Sequence, residues 1–183
     1  SYRRSFFSSK DSPNLASARA GNVIGGGDWS LNRLVPDILK SFESNNPVVL
    51  RNPLAIRPWQ HVLEPLFGYL ILAEDLYKKG TEYSGAWNFG PNDEDCKSVE
   101  WILKKMITIW GEGASYEIDT NFNPHEANIL KLDCSKAEIG LNWKPKWDLE
   151  KALELTIAWH KQWLSKGNMR NICMNEIDQY LNI

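Results

Sequence analysis

Two hydrophobic periods alternate along the chain. From Arg33 to about Phe42 the apolar residues Leu34, Val35, Ile38, Leu39 and Phe42 recur at helical spacing, and Pro36 falls in the first turn, where its missing N–H has no intrahelical use. Leu63, Leu66, Phe67, Leu70, Ile71 and Ala73 trace a second helix to about Lys79. Lys78-Lys79-Gly80 stops it, with cations at the negative end of the dipole and a glycine beyond. Val99, Ile102, Leu103, Met106, Ile107 and Trp110 form the clearest 3.6-residue stripe, behind Ser98 as N-cap. Asp133 to Ala137 opens a short helix ending at Gly140, and Leu149 to about Leu164 makes a final amphipathic one.

The segments between read as strands and turns. Leu15 to Ala20 has the small, apolar character of a buried strand, running through Gly21 into a loop from Asn22 to Trp29. Val48 to Arg51, Ala86 to Gly90 and Tyr116 to Ile118 are short strands, and Arg57 to Val62 is extended because Pro58 pushes its predecessor out of the helical region. Residues 2–9 read as the tail of a helix broken at Asp11-Ser12-Pro13-Asn14, and the polar tail from Gly167 carries no assigned element. Alternating strands and helices predict an α/β class. The strands are too few for a complete doubly wound sheet, so an N-terminal half of the same subunit is expected to be missing, which fits an opening on Ser1 rather than a start methionine. There is no internal repeat or linker to divide the chain.

Composition narrows the classes. With 43% hydrophobic and 24% charged residues among 183, the chain reads as an ordinary globular protein, and no apolar run approaches the roughly 20 residues of a membrane helix. A formal net charge of −2 offers no general attraction to nucleic acid or anionic membrane, so an anion site has to be built locally. Cys96, Cys134 and Cys173 are far apart and without a CxxC pattern, which reads as reduced thiols in a cytoplasmic protein. His61, His125 and His160 are too scattered for a zinc site. The nine tryptophans read mainly as packing residues, with sugar stacking the minority reading for one or two.

Three constellations carry candidate chemistry. Asn22 both donates and accepts hydrogen bonds, and Gly25-Gly26-Gly27 lets backbone approach a bulky polar ligand; taken alone, a plain turn accounts for it, since neither GxGxxG nor GxxxxGK[ST] is present. Arg33, Arg51 and Arg57 each stand at the edge of a predicted element, and guanidiniums from separate elements can converge on a diphosphate through bidentate hydrogen bonds. Taken singly, each reads first as a solvated or salt-bridged arginine. His125 beside Glu126 resembles an acid/base pair, but neighbours in an extended stretch point to opposite faces, which favours substrate positioning or a structural hydrogen bond. The residues by themselves lead to an anion- or nucleotide-binding half-domain.

Taken in order, these segments resemble the extended short-chain dehydrogenase/reductase family. Ala18-Arg19-Ala20-Gly21-Asn22-Val23-Ile24-Gly25-Gly26-Gly27-Asp28-Trp29 is similar to its sixth-strand motif. Arg57-Pro58-Trp59-Gln60-His61-Val62-Leu63-Glu64-Pro65 is similar to its arginine-led segment before a helix, and Trp87-Asn88-Phe89-Gly90 to its short strand with asparagine and glycine. Asp133-Cys134-Ser135-Lys136-Ala137 with Leu141-Asn142-Trp143-Lys144-Pro145 resembles its terminal signature. Gly-Gly-Gly-Asp-Trp, Arg-Pro-Trp-Gln-His-Val and His-Glu-Ala are most similar to the CDP-glucose branch of its NDP-sugar 4,6-dehydratases.

The resemblance implies an NAD(P)-binding Rossmann-like subunit with a small substrate-binding domain. Residues 13–30 and 57–91 would contribute to the Rossmann sheet, and 31–56 and 92–166 would form the substrate domain. It implies a lyase in deoxysugar and lipopolysaccharide (O-antigen) biosynthesis that turns CDP-glucose or a related NDP-sugar into a 4-keto-6-deoxy sugar, using NAD, with NADP not excluded, in a cytoplasmic homo-oligomer. By the same resemblance Asn22 and Arg57 would hold the diphosphate, Arg33 and Leu34 would border the nucleobase, and Arg51 would lie along the nucleotide. Asn88 would support the same site, with His125 near the ribose or diphosphate and Glu126 as a replacement contact. The arginine expected three residues before His125 is Phe122, which puts a second diphosphate clamp in doubt. The catalytic Tyr-x-x-x-Lys and the GxxGxxG fingerprint are expected upstream, so these residues alone are expected to be inactive. The alternatives are another NDP-sugar dehydratase or epimerase of the family, and a non-catalytic sugar-nucleotide-binding module.

Overall fold

The computed structural model describes residues 2–7, 9, 12–119 and 127–182. In chain order they form α1 (Tyr2–Phe6), β1 (Ala16–Ala20), β2 (Asn22–Ile24), α2 (Leu34–Glu43), β3 (Val48–Leu50), β4 (Ile56–His61) and α3 (Leu63–Lys79). There follow β5 (Gly85–Phe89), β6 (Cys96–Ser98), α4 (Val99–Trp110), β7 (Tyr116–Ile118), α5 (Ser135–Leu141), α6 (Leu149–Leu164) and α7 (Met169–Leu181). The class is mixed α/β, as the alternating periods predict.

The helices start where local chemistry allows. Ser98 Oγ accepts the Trp101 N–H at 3.2 Å, capping α4 as its sequence predicts. Asp148 caps α6 by accepting the Lys151 N–H at 2.7 Å, and Asn168 caps α7 by accepting the Asn171 N–H at 3.2 Å. The helix α7 corrects the reading of the tail as unassigned. Its only buried residue is Tyr180, so it presents a single anchor instead of an apolar stripe, and periodicity does not reveal it.

The strands form small, mostly parallel ladders: β1 with β5, β2 with β4, and β3 with β7, while β6 adds antiparallel to β4. Residues 16–24 are nearly one strand that changes partner at Gly21. Before it the ladder is with β5; after it, with β4, in the register Asn22 to Trp59. Gly21 N–H still donates to the Phe89 carbonyl at 3.2 Å, and a Cβ at this position would come within 2.3 Å of the Pro58 carbonyl oxygen. Only glycine lets the two backbones approach so closely. The reading of Asn22 to Trp29 as wholly loop is thereby corrected: Asn22–Ile24 is strand because β4, more than 30 residues further on, pairs with it, and a three-residue strand before three glycines leaves no local pattern.

Two cores hold these ladders. In the first, Ile38 and Phe42 of α2, Ile102, Leu103 and Met106 of α4, and Leu149, Leu153 and Ile157 of α6 pack together with Ile24 and Trp59. In the second, Phe89 and Trp87 of β5 pack with Leu72 of α3, Ala137 and Leu141 of α5, and Trp143. Each fully buried Leu, Ile or Phe contributes about 1.5–3 kcal/mol relative to exposure. The first core brings α2 and α6 up to the Gly25–Gly27 turn. Trp59, Trp87, Trp143, Trp147 and Trp159 are buried, in line with their reading as packing residues, and the three cysteines are free thiols.

Candidate functional site

The carboxyl ends of β2 and β4 open onto the Gly25–Gly27 turn, the position at which open α/β sheets leave room for ligands. A cavity of about 490 Å³ lies there, walled by Asn22 to Asp28, by Asn32 to Pro36 at the start of α2, and by Thr156 and His160 of α6. A second cavity of about 300 Å³ lies between the end of β3 and β4, bordered by Arg51, Asn52, Arg57 and Val99. Asn22, Asn32, Leu34 and Trp59 border both. The two spaces therefore share a stretch of wall that includes Trp59, whose Nε1–H donates to the Lys97 carbonyl at 3.2 Å and so fixes the ring.

Around this double cleft the structure distributes the sequence-derived residues as follows. Arg33 borders the larger cavity; Arg51 and Arg57 border the smaller; Asn22 and Leu34 border both. Arg33 Nη1 lies 3.4 Å from Asp28 Oδ2 at the exposed lip. Burial works to raise the Asp28 carboxyl, but hydrogen bonds from Ser30 and the charge of Arg33 outweigh it and hold the group below its ordinary range. Arg57 Nη1 donates to the carbonyls of Ile56 at 2.9 Å and Ala127 at 2.8 Å, tying β4 to the chain that follows residue 126. Asn88 borders neither cavity: on β5 it is in register with Arg19, and its Nδ2 donates to the Asp133 carbonyl at 3.0 Å. His125 and Glu126 lie outside the described residues.

Several lining residues were not singled out from sequence. Trp59 is 5% exposed and Thr156 and His160 of α6 are almost fully buried. Thr156 Oγ1 donates to the Ala152 carbonyl at 2.8 Å, and His160 Nε2 lies 2.5 Å from Glu43 Oε1 of α2. The available signal was two polar residues spaced i, i+4 within the apolar stripe of a helix, which places both on the core face. Beneath the turn, His61 accepts the Leu63 N–H on Nδ1 at 3.4 Å, and burial pushes its imidazole down to about 4, so the ring is neutral at physiological pH. Its Nε2 has no partner among the described residues. Those residues include no group of three His, Cys, Asp or Glu side chains placed to hold a metal ion, and no helix long and apolar enough to cross a membrane.

The fold matches that of nucleotide-sugar epimerases and dehydratases of the extended short-chain dehydrogenase/reductase group. UDP-glucuronic acid 4-epimerase from Bacillus cereus, solved with UDP-glucuronic acid and NAD, superposes with a TM-score of 0.73 at 20% identity, covering 88% of this chain and 48% of its own. dTDP-glucose 4,6-dehydratase from Bacillus anthracis, solved with NAD, superposes at 0.66 and 19% identity, covering 88% and 47%. No family model matches the chain. At the level of sequence the chain is a homologue of CDP-glucose 4,6-dehydratase: it is 52% identical to that enzyme of Salmonella typhimurium over 184 residues, which is 98% of this chain and 51% of the enzyme. The chain thus spans about half the length of the curated relative it matches.

Proposed function

We propose that these residues form the nucleotide-sugar-binding part of a CDP-glucose 4,6-dehydratase, with the cleft over Trp59 as the seat of the nucleotide diphosphate. The observation that carries this reading is the wall of Asn22, Asn32, Leu34 and Trp59 that the two cavities share, with Arg33 bordering one and Arg51 and Arg57 the other. A nucleotide diphosphate is a flat apolar base joined to two phosphates, and the cleft offers apolar side chains beside planar cations. Guanidinium forks match phosphate oxygens bidentately, and the Asn22 amide donates to the same oxygens. Leu34 and Arg33 border the base. Asn88 is assigned no ligand contact in this reading, because it borders neither cavity.

In the intact protein the proposed reaction converts CDP-glucose to its 4-keto-6-deoxy product, with the redox chemistry supplied by NAD. The Gly25–Gly27 turn is not read as the dinucleotide fingerprint of the cofactor site. Gly25–Gly27 leads into the loop Asp28 to Arg33 and not directly into a helix, whereas a dinucleotide fingerprint needs its glycines to open one. The sequence also contains neither GxxGxxG nor Tyr-x-x-x-Lys. The part assigned here is to bind and orient the sugar nucleotide, and these residues by themselves are proposed to be inactive.

The deciding experiment gives the intact protein CDP-glucose, dTDP-glucose, GDP-mannose and UDP-glucose with NAD or NADP, and follows formation of a 4-keto sugar. Preferential turnover of CDP-glucose is expected. Turnover confined to another sugar nucleotide would move the protein to a different branch, and binding without turnover would make it a non-catalytic module.

A further inference from the structure

The Gly25–Gly27 turn and the C-terminal helix are joined through one side chain. Trp159 of α6 is 8% exposed, and Gly26 lies so close to its indole that a Cβ there would fall 2.1 Å from the ring; one on Gly27 would stand at 3.3 Å. The turn's backbone therefore rests directly on the aromatic face. The other edge of the indole is tied down, since Nε1–H donates to Cys173 Sγ of α7 at 3.3 Å. All three glycines border the larger cavity, as do Thr156 and His160 from the same helix, whereas Trp159 stands behind them and does not reach it.

Three consecutive glycines lose more conformational freedom on ordering than any other tripeptide. Left unsupported, such a turn spends only part of its time in a shape that accepts ligand, and apparent affinity falls by that fraction. A flat, anchored ring supplies the contacts that absent side chains do not. We infer that Trp159 is a positioning residue that holds the Gly25–Gly27 wall of the cleft in its receptive shape, and that α7 fixes the indole through Cys173. The inference rests on the cleft being the ligand site proposed above. It makes α7, which has no residue in either cavity, a contributor to substrate affinity.

The test uses the intact protein carrying Trp159→Phe, Cys173→Ala or Cys173→Ser. Amide hydrogen exchange of the peptide covering residues 22–29 is measured without ligand, and KM and kcat for CDP-glucose are measured separately. Trp159→Phe and Cys173→Ala are expected to speed exchange in that peptide on the order of fivefold while exchange in α4 stays unchanged. They should raise KM as the receptive fraction of the turn falls, by a smaller factor than the exchange rate, and leave kcat within about twofold. Cys173→Ser, which retains an acceptor, is expected to recover most of the loss. Unchanged exchange at 22–29 in both Trp159→Phe and Cys173→Ala overturns the inference, and if Trp159→Phe does not fold the two cysteine variants decide it. A turn that loosens as expected in a protein whose wild type binds no CDP-glucose leaves the positioning role standing and removes the ligand reading instead.

Discussion

Tyr180, near the end of α7, donates its hydroxyl to Glu64 Oε2 at 2.7 Å, and both side chains are closed to solvent. The same carboxylate accepts the backbone N–H of Trp147 at 2.8 Å and that of Lys146 at 3.1 Å. Burial pushes the Glu64 carboxyl up, while these donors and the Lys146 charge pull it back. One acidic side chain in the first turn of α3 therefore fastens both the segment entering α6 and the last helix. Tyr180→Phe removes a donor from a buried acceptor and is expected to lower stability by about 1–3 kcal/mol. Urea denaturation measures it, and a midpoint equal to wild type would contradict the arrangement.

Glu176, on the same helix, has its carboxyl raised by burial from the ordinary 4.5 to about 7. As pH rises the unfolded chain gives up this proton first, so the folded state loses stability between pH 4.5 and about 7. Glu176→Gln cannot ionise. It is expected to match wild type below pH 4.5 and to become progressively more stable than wild type up to pH 7. Thermal melts from pH 4 to pH 8 check this, and parallel curves for the two proteins would count against it.

Ser98 caps α4, the helix that contributes Ile102, Leu103 and Met106 to the first core. Ser98→Ala leaves the Trp101 N–H without its acceptor and should cost about 1 kcal/mol, whereas Ser98→Asp, which keeps an oxygen there, should cost little. The comparison is made by chemical denaturation of both variants.

Arg51→Ala and Arg57→Ala are each expected to weaken CDP-glucose binding by at least about tenfold, since a hydrogen bond to a charged group is worth roughly 1.5–3 kcal/mol. Arg170→Ala, an exposed arginine on α7, serves as the control and should leave affinity unchanged. Calorimetry with CDP and with CDP-glucose separates loss of diphosphate contacts from loss of sugar contacts. Equal affinity in all three variants would remove the arginines from the site.

How far the sequence reaches depends on how local the cause of each feature is. The stripe Val99, Ile102, Leu103 and Met106 behind Ser98 is a local cause, and α4 forms where it predicts. Arg33, Arg51 and Arg57 stand out because each sits at the edge of an element, and the cleft has all three on its borders. The wall from α6 is different: Thr156 and His160 reach the turn only because the first core packs α6 beside α2, a relationship between segments more than 100 residues apart. The likeness between the segment around Asn88 and a known strand motif carried that residue to the site by analogy, while the fold spends its amide on the Asp133 carbonyl.

The change of partner at Gly21 restricts what can be altered near the cleft. With the Pro58 oxygen 2.3 Å from where a methyl group would stand, even alanine would pry the strand segment away from β4, and Asn22 is the very next residue. Library designs that vary the cleft to accept other sugar nucleotides should randomise positions on the far side of Trp59 and leave this crossing point as glycine.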